Sequence, residues 1–255
     1  SEKSLNNVIT KHRYSIGEVK MTNEQRLKNL QMPKGRVDVV LDTDAFNEID
    51  DQFAIAYLLN SKDKLNTKAI YAAPFHNVNS KSAKDGMQQS YDEILKLLDF
   101  MGESAEVYKG SEEYLKDETT PVLSPAALDL ARRCDNYSPE NPLYIIAIGA
   151  FTNIASAILK NPKMKENCVF LILGGHADYL PTPVYEFNMI QDIAAARVIF
   201  LHKKSIAESD IHKLSSRNIL YLIIYHIFYR KYTATPNFFG IYFICSPYTS
   251  SDNIN

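Results

Sequence analysis

The chain has 255 residues, of which 45% are hydrophobic and 23% are charged, and its formal net charge is −2. This composition indicates a soluble globular protein with a sizeable core, which needs no disulfide or structural metal ion to hold its fold. The nearly balanced charge argues against a nucleic-acid or membrane partner. The polar N-terminus has no signal-peptide core and the three cysteines are dispersed, so we expect a cytoplasmic protein.

Short apolar segments alternate with helical patterns through most of the chain. The predicted strands are RVDVVLD, TKAIYAAP, EVYKG, PLYIIAIGA and CVFLILGG, and the predicted helices are EIDDQFAIAYLLN, SAKDGMQQSYDEILKLLDFMG, SPAALDLARRC, TNIASAILKNP and IQDIAAARVIFLH. We expect Ser82 to cap one of these helices, Gly102 to end it, and Thr152 or Asn153 to cap another. Near-continuous apolar strands separated by helices predict a Rossmann-like α/β fold with a mainly parallel sheet flanked by helices.

The two ends of the chain differ from its middle in composition. Residues 1–35 form a polar extension with one short helical pattern, NEQRLKNL, and residues 205–255 are dense in Ile, Tyr, Phe and Asn without a helical period. The apolar run ILYLIIYHIFY falls short of the roughly 20 residues that a bilayer span requires, so a buried strand pair is favoured, or else a tail foreign to the ancestral fold. We therefore predict an α/β domain over residues 36–204 that is incomplete at its C-terminus.

Five acidic residues crowd into the turn after the first predicted strand: Asp42, Asp44, Glu48, Asp50 and Asp51. Ligands of parallel α/β sheets bind at the carboxyl ends of the strands, where this turn lies. Helix capping explains one or two of the acids, but like charges a few ångströms apart repel and raise each other's pKa. A hard cation with oxygen ligands, Ca²⁺ or Mg²⁺, would relieve that repulsion. The turn therefore predicts a metal site.

Four sequence blocks in a fixed order carry a family resemblance. They are LDTDAFNEIDDQFAIAYLL, AIYAAPFHN, IAIGAFTNIASAI and LILGGHADYLPTPVYEFNMIQDIAAARVIF, within residues 36–200. Together they resemble the nucleoside hydrolases of the inosine–uridine-preferring type. An Asp-x-Asp after a first strand also occurs in haloacid-dehalogenase-like phosphatases, but the later acidic pair of those enzymes is missing here. The resemblance implies a Rossmann-like fold and Ca²⁺-dependent hydrolysis of the N-glycosidic bond of ribonucleosides, which releases free base and ribose.

The resemblance also implies which residues hold the metal. Asp44 is expected to ligate Ca²⁺ and to act as the general base that activates a metal-bound water. Asp51 is expected to be a second ligand, and Thr152 to offer its backbone carbonyl. Asp42 is expected to lie beside the metal, behind these ligands. A carboxylate within hydrogen-bond distance of a water that the cation has acidified suits proton removal.

Four further residues are implied to bind the sugar. Asp50 is expected to hold the ribose 2′- and 3′-hydroxyls, and Asn77 to contact the ribose. Glu186 and Asn188 are expected to bind the 5′-hydroxyl and to shield the positive charge that develops on the ribosyl group. The expected partner is thus a small-molecule nucleoside, and a homo-oligomer is possible.

One part of the family pattern has no counterpart in this chain. The family closes its metal site with a further aspartate beyond the Glu-Phe-Asn block, and no block of that kind is found here. Asp192 follows Glu-Phe-Asn too closely to be that further aspartate. Asp210 and His212 come later in the chain, but the residues around them do not resemble the family's block. The alternative hypothesis is therefore a non-catalytic, truncated paralogue that retains part of the ribose-binding site.

Overall fold

A parallel sheet of six strands forms the centre of the protein, in the order β3-β2-β1-β4-β5-β6. The structure is a computed structural model that describes residues 21–31, 33–175, 185–201 and 242–244. The strands are β1 (Val37–Thr43), β2 (Leu65–Ala72), β3 (Val107–Tyr108), β4 (Leu143–Ala147), β5 (Cys168–Leu173) and β6 (Tyr242–Ile244). All neighbouring strands run parallel. After β3 the chain crosses to the other side of β1, so the strand order reverses between β1 and β4, where ligands of such sheets bind.

Helices follow the strands as the sequence predicts, except that the helix predicted over IQDIAAARVIFLH is divided at Asp192 and that a short, unpredicted helix precedes β5. They are α1 (Asn23–Asn29), α2 (Ile49–Asn60), α3 (Ala83–Met101), α4 (Pro125–Arg133), α5 (Thr152–Lys160), α6 (Met164–Asn167), α7 (Phe187–Gln191) and α8 (Ile193–Leu201). The side chain of Ser82 caps α3 by accepting a hydrogen bond from the backbone of Asp85 at 3.2 Å. Gly102 ends that helix with a φ of 65°, a left-handed conformation that favours glycine. Both predictions for this helix are confirmed.

The cap predicted for α5 is wrong. The helix begins at Thr152 after a Phe151 that makes no side-chain capping hydrogen bond. Thr152 and Asn153 are both fully buried, and their polar groups donate to carboxylates elsewhere in the fold. A polar residue at a helix start can therefore serve a distant buried acid instead of its own helix.

The sheet is covered on both faces by helices, which creates two apolar layers. On one face the buried residues of α2 and α3, among them Ile55, Leu58 and Ile94, pack with alternate residues of β1 and β2. On the other face α4, α5 and α8 pack against β4 and β5 through residues such as Leu130 and Ile154. This arrangement confirms the predicted Rossmann-like α/β class.

The ends of the chain are described only in part. The short helix α1 confirms the pattern in the polar extension, and β6 lies within the segment predicted as a divergent tail. Residues 1–20 and most of residues 205–255, including Asp210 and His212, lie outside the described residues, so the division of the chain into three segments stays a prediction. None of the described helices combines the length and the apolar character that crossing a membrane requires.

Candidate active site

The C-terminal end of β1 carries two buried acids. Asp42 lies inside the strand, in register with Tyr71 of β2 and Ala147 of β4, and Asp44 follows the last residue of β1. Asp42 is 0% exposed and Asp44 is 2% exposed. Within the described residues, Oδ1 of Asp42 and Oδ2 of Asp44 are buried without a hydrogen-bond partner. Such atoms are costly to bury, so they indicate a binding role.

Both carboxyls hold their protons to unusually high pH. Burial raises the pKa of Asp42 to about 8, against a hydrogen bond from Asn153, and the charge of Asp44 adds to the rise. Burial likewise raises the pKa of Asp44 to about 7, and the charges of Glu48 and Asp50 contribute. Perturbed acids of this kind cluster at functional sites.

The start of α2 brings two more acids to the same place. Asp51 is 5% exposed and accepts a hydrogen bond from the hydroxyl of Thr43. Its pKa lies well above the usual range, because it is buried and because the charge of Asp44 is close. Asp50 is exposed, with Oδ1 accepting from the backbone N–H of Asp51 at 3.2 Å. Glu48 stands at the cap position of α2 but makes no capping hydrogen bond, so capping does not account for this cluster.

The loop after β4 packs closely against the acidic residues at the end of β1. A Cβ on Gly149 would lie 2.7 Å from Oδ1 of Asp44 and 2.8 Å from Cβ of Ala73, so only glycine fits there. The amide of Asn153 donates to Oδ2 of Asp42 at 2.8 Å and to the carbonyl of Ala72 at 3.1 Å. The buried Thr152, at the start of α5, donates its hydroxyl to Asp192 at 2.7 Å. The structure thus places Thr152 at the same sheet edge as Asp42 and Asp44.

Glu186 and Asn188 lie beyond the end of β5. The carboxylate of Glu186 accepts backbone hydrogen bonds from Asn188, Met189 and Gly175 at 3.0, 2.9 and 3.3 Å, and so caps α7. A carboxylate has about four acceptor positions, so Glu186 can still accept from a ligand. The amide of Asn188 donates to the carbonyls of Ile148 and Leu173. The charge of Glu186 contributes to a raised pKa of Glu48, which places Glu186 near the acidic turn.

Asn77 reaches the acidic turn through a second asparagine. Its amide donates to Oδ1 of Asn47 at 2.6 Å, and the backbone N–H of Asn47 donates to the carbonyl of Asp44 at 2.7 Å. Of the eight site residues predicted from the sequence, Asp42 lies within β1 next to its last residue, and the other seven lie in the loops and helix starts that follow β1, β2, β4 and β5 at one edge of the sheet.

The donor set fits a hard cation in part. Two buried carboxylate oxygens have no partner within the described residues, and carboxylate and carbonyl oxygens are the ligands that Ca²⁺ prefers. However, the described part of the chain contains no group of three or more His, Cys, Asp or Glu side chains that could hold a metal ion. An ion at Asp44 and Asp51 would therefore need backbone carbonyls, water, or groups from other parts of the protein to complete its coordination.

Three residues near the site had no role in the sequence analysis: Asn47, Tyr114 and Gln191. Asn47 was quoted only as part of the acidic turn, although asparagine in a turn is a signal for local hydrogen bonding. Burial raises the pKa of Tyr114, and the charges of Asp192 and Asp44 add to the rise, so its ring lies beside the cluster. No periodicity or motif pointed to Tyr114, because its neighbours are distant in sequence.

Comparison with solved structures shows the same fold. A purine-preferring ribonucleoside hydrolase from Gardnerella vaginalis is 24% identical, with a TM-score of 0.50 over 64% of this chain and 57% of that one. An inosine-guanosine nucleoside hydrolase is 22% identical, with a TM-score of 0.51 over 66% and 57% of the two chains. An effector protein is 17% identical, with a TM-score of 0.51 over 72% and 58%. The chain thus spans less than two thirds of the length of these relatives.

Comparison at the level of sequence identifies the family. A search of curated proteins found no match. The family model described as inosine-uridine preferring nucleoside hydrolase matches residues 39–224, most of the chain, and runs past the last of the four blocks. Because that match covers more than half of the sequence and agrees with the fold, the chain belongs to the family of inosine–uridine-preferring nucleoside hydrolases.

Proposed function

We propose that this protein hydrolyses the N-glycosidic bond of ribonucleosides in a Ca²⁺-dependent reaction that yields free base and ribose. The observation that carries the proposal is a pair of buried carboxylate oxygens, one of Asp42 and one of Asp44, which have no hydrogen-bond partner among the residues that the structure describes. In a chain of this family, such a pair is expected to face a cation and the reacting water.

The cation would be held by Asp44, Asp51 and the backbone carbonyl of Thr152, with Asp42 beside them. Calcium, when bound, supplies the positive charge that neutralises these crowded acids and makes a nearby water easier to deprotonate. The short contact between Thr43 and Asp51 and the hydrogen bond from Asn153 to Asp42 orient the carboxylates before any ligand arrives. The carboxylates of Asp42 and Asp51 are thus oriented before the proposed cation binds.

Asp44 is the group that removes a proton from the attacking water. Asp44 follows the last residue of β1, and its Oδ1 packs closely against Gly149. When water adds to C1′ and the bond to the base breaks, positive charge develops on C1′ and the ring oxygen. The carboxylates of the acidic turn stabilise that charge, and the departing base takes up a proton.

The ribose would lie over the same cluster. The exposed Asp50 is free to accept hydrogen bonds from the 2′- and 3′-hydroxyls, and Asn77 lies within reach of the turn through Asn47. Glu186 and Asn188 approach from the β5 side, where they would meet the 5′-hydroxyl. Holding the sugar at several hydroxyls fixes C1′ before the water, which lowers the entropic part of the barrier.

The proposal is tested by release of reducing sugar from inosine and uridine, with Ca²⁺ and with a chelator. We expect release that requires Ca²⁺ and that falls at least about 100-fold in Asp44→Asn, since the general base alone contributes roughly that factor. Asp63→Asn serves as the matched control, because Asp63 is an exposed acid in an ion pair with Lys64. Equal release by Asp44→Asn and the unaltered protein would overturn the proposed role of Asp44.

A second candidate function is ribose or nucleoside binding without hydrolysis. It is favoured by the lack, in the described part of the chain, of a group of three or more His, Cys, Asp or Glu side chains that could hold a metal ion. A thermal melt separates the two: a cation bound at one hundred times its dissociation constant stabilises the fold by about 2.7 kcal/mol. A Ca²⁺-dependent rise that disappears in Asp44→Asn supports the enzyme, whereas nucleoside binding without any response to Ca²⁺ supports the alternative.

A further inference from the structure

Gln191 is the last residue of α7 and makes three hydrogen bonds to segments far away in sequence. Its Oε1 accepts from the backbone N–H of His76 at 2.8 Å, and its Nε2 donates to the carbonyl of the same residue at 3.2 Å. The hydroxyl of Tyr114 also donates to Oε1. The half-buried side chain of Gln191 therefore binds both the N–H and the carbonyl of His76. It is itself bound by Tyr114, which lies in another loop.

The neighbouring Asp192 is buried and anchors the C-terminal end of α7 through hydrogen bonds to three other segments. Its Oδ2 accepts from the backbone of Leu115 at 2.9 Å and from the hydroxyl of Thr152 at 2.7 Å, and its Oδ1 accepts from the backbone of Ala195 at 2.9 Å. Asp192 is 1% exposed. Gln191 bonds Tyr114 and Asp192 bonds Leu115, so two consecutive residues of one segment are held by two consecutive residues of another. These contacts fix the position from which the side chain of Gln191 extends toward the loop after β2.

The residue that Gln191 holds directly precedes Asn77. The amide of Asn77 contacts Asn47 at 2.6 Å, and the backbone of Asn47 contacts the carbonyl of Asp44 at 2.7 Å. A continuous series of short contacts thus runs from Gln191 through His76 and Asn77 to the acidic turn. Ser80 holds Asn77 from the other side, because its Oγ accepts from the backbone N–H of Asn77 at 3.3 Å and its own backbone N–H donates to the carbonyl of Asn77 at 3.2 Å. His76 itself is exposed, and Gln191 supplies the hydrogen bonds to its backbone.

We propose that Gln191 is a positioning residue, which holds the His76–Asn77 segment so that Asn77 faces the sugar at the acidic turn. This inference rests on the proposed function for the identity of the ligand. It assigns no chemistry to Gln191, which touches the loop and not the reacting atoms. Its substitution is therefore expected to weaken ribonucleoside binding without changing the chemical step.

The first measurement is hydrogen exchange of the backbone over residues 73–80, with and without inosine. In Gln191→Ala we expect the amide of His76 to exchange about three- to tenfold faster, the effect of losing one ordinary hydrogen bond. Tyr114→Phe, which removes only the support of Gln191, should give a smaller increase in the same segment. Gln88→Ala is the matched control, because Gln88 makes one exposed hydrogen bond to Asp92 on α3.

The second measurement is the split between KM and kcat for inosine. We expect Gln191→Ala to raise KM about five- to tenfold with kcat within twofold, whereas a merely structural loss would lower kcat through a smaller folded fraction and leave KM unchanged. Unchanged exchange at residues 73–80, or faster exchange with an unchanged KM, overturns the proposal. If the unaltered protein releases no sugar, the proposed hydrolysis fails, and protection of residues 73–80 by inosine, lost in Gln191→Ala, decides the positioning role instead.

Discussion

Two groups of buried acids in this protein have opposite surroundings. Asp129 of α4 is 4% exposed and accepts hydrogen bonds from Tyr71 at 2.8 Å, from Arg132 at 2.6 Å and from Arg133 at 2.9 Å. Asp42 and Asp44 are as deeply buried, yet each keeps one carboxylate oxygen without a partner in the described part of the chain. The same fold therefore satisfies one buried acid completely and leaves two others incomplete.

The pKa values follow this difference. Burial opposes the ionisation of Asp129, but the hydrogen bonds from Tyr71, Arg132 and Arg133 outweigh it and lower the pKa of that carboxyl. Burial also dominates at Asp42 and Asp44, where the charges that act on the carboxyls are those of other acids and the pKa is raised. We infer that Asp129 stabilises the fold. The acidic turn instead lowers the stability of the fold and retains carboxylate oxygens that can bind a ligand.

The largest effect is expected from removing the satisfied acid. Asp129→Ala should lower the free energy of unfolding by about 3 kcal/mol, because it leaves the buried hydroxyl of Tyr71 without its acceptor and takes the buried partner from Arg133, which keeps its contact to Glu106. The side chain of Arg133 is only 12% exposed, so it cannot turn easily to water. Urea denaturation measures the loss, with the exposed Asp63→Ala as control, expected within about 0.5 kcal/mol. A loss as small as that of the control would mean that the two groups of acids do not differ in this way.

The next effect concerns the unsatisfied acids and pH. In the folded protein Asp42 and Asp44 have pKa values of about 8 and about 7, against an ordinary 3.8, so folding favours their protonated forms. In chelator, the stability that their protonated forms provide is complete below about pH 4 and is lost progressively as pH rises to about 8.

Asp44→Asn should reduce that loss, because the amide does not ionise and no longer raises the pKa of Asp42. Urea denaturation at several pH values, with and without Ca²⁺, measures the effect, and Ca²⁺ should reduce the loss in the unaltered protein only. Stability that rises from pH 4 to pH 8 in chelator would contradict the raised pKa values of Asp42 and Asp44.

A smaller effect is expected when only one donor to Asp129 is lost. Tyr71→Phe should cost about 1–2 kcal/mol, because a buried carboxylate loses one of its hydrogen bonds while both arginines remain. Tyr108→Phe is the control, since its hydroxyl bonds Glu106 at the surface at 2.9 Å and its loss should cost less. Thermal or urea denaturation of the two variants tests the order, and equal losses would contradict the importance of burial.

The smallest expected effect is the difference in stability between removing Arg132 and removing Arg133. The side chain of Arg132 is 78% exposed and that of Arg133 is 12% exposed, although both contact Asp129. Arg132→Ala should change stability by less than about 1 kcal/mol, because exposed ion pairs contribute little in water. Arg133→Ala should cost clearly more, because its largely buried guanidinium pairs with the buried Asp129. Measuring both variants by urea denaturation shows whether exposure decides the contribution, and a larger loss in Arg132→Ala would refute it.

Much of the fold was predictable from local patterns. The helix α3 illustrates this, because Ser82 and Gly102 mark its two ends by chemistry that acts within a few residues. The acidic turn was predictable for the same reason, since Asp44 and Asp51 are close in sequence as well as in space. The prediction failed at Thr152 and Asn153, where local capping was outweighed by buried carboxylates on other elements.

The sequence by itself determined the order and type of the elements and the crowding of acids after β1, because hydrophobic periodicity and turn chemistry act over short distances. Only the tertiary structure decided which of those acids are satisfied. Asn153 reaches Asp42 across 111 positions and Gln191 reaches His76 across 115. Such contacts depend on strand order and register, which join residues that no local pattern connects.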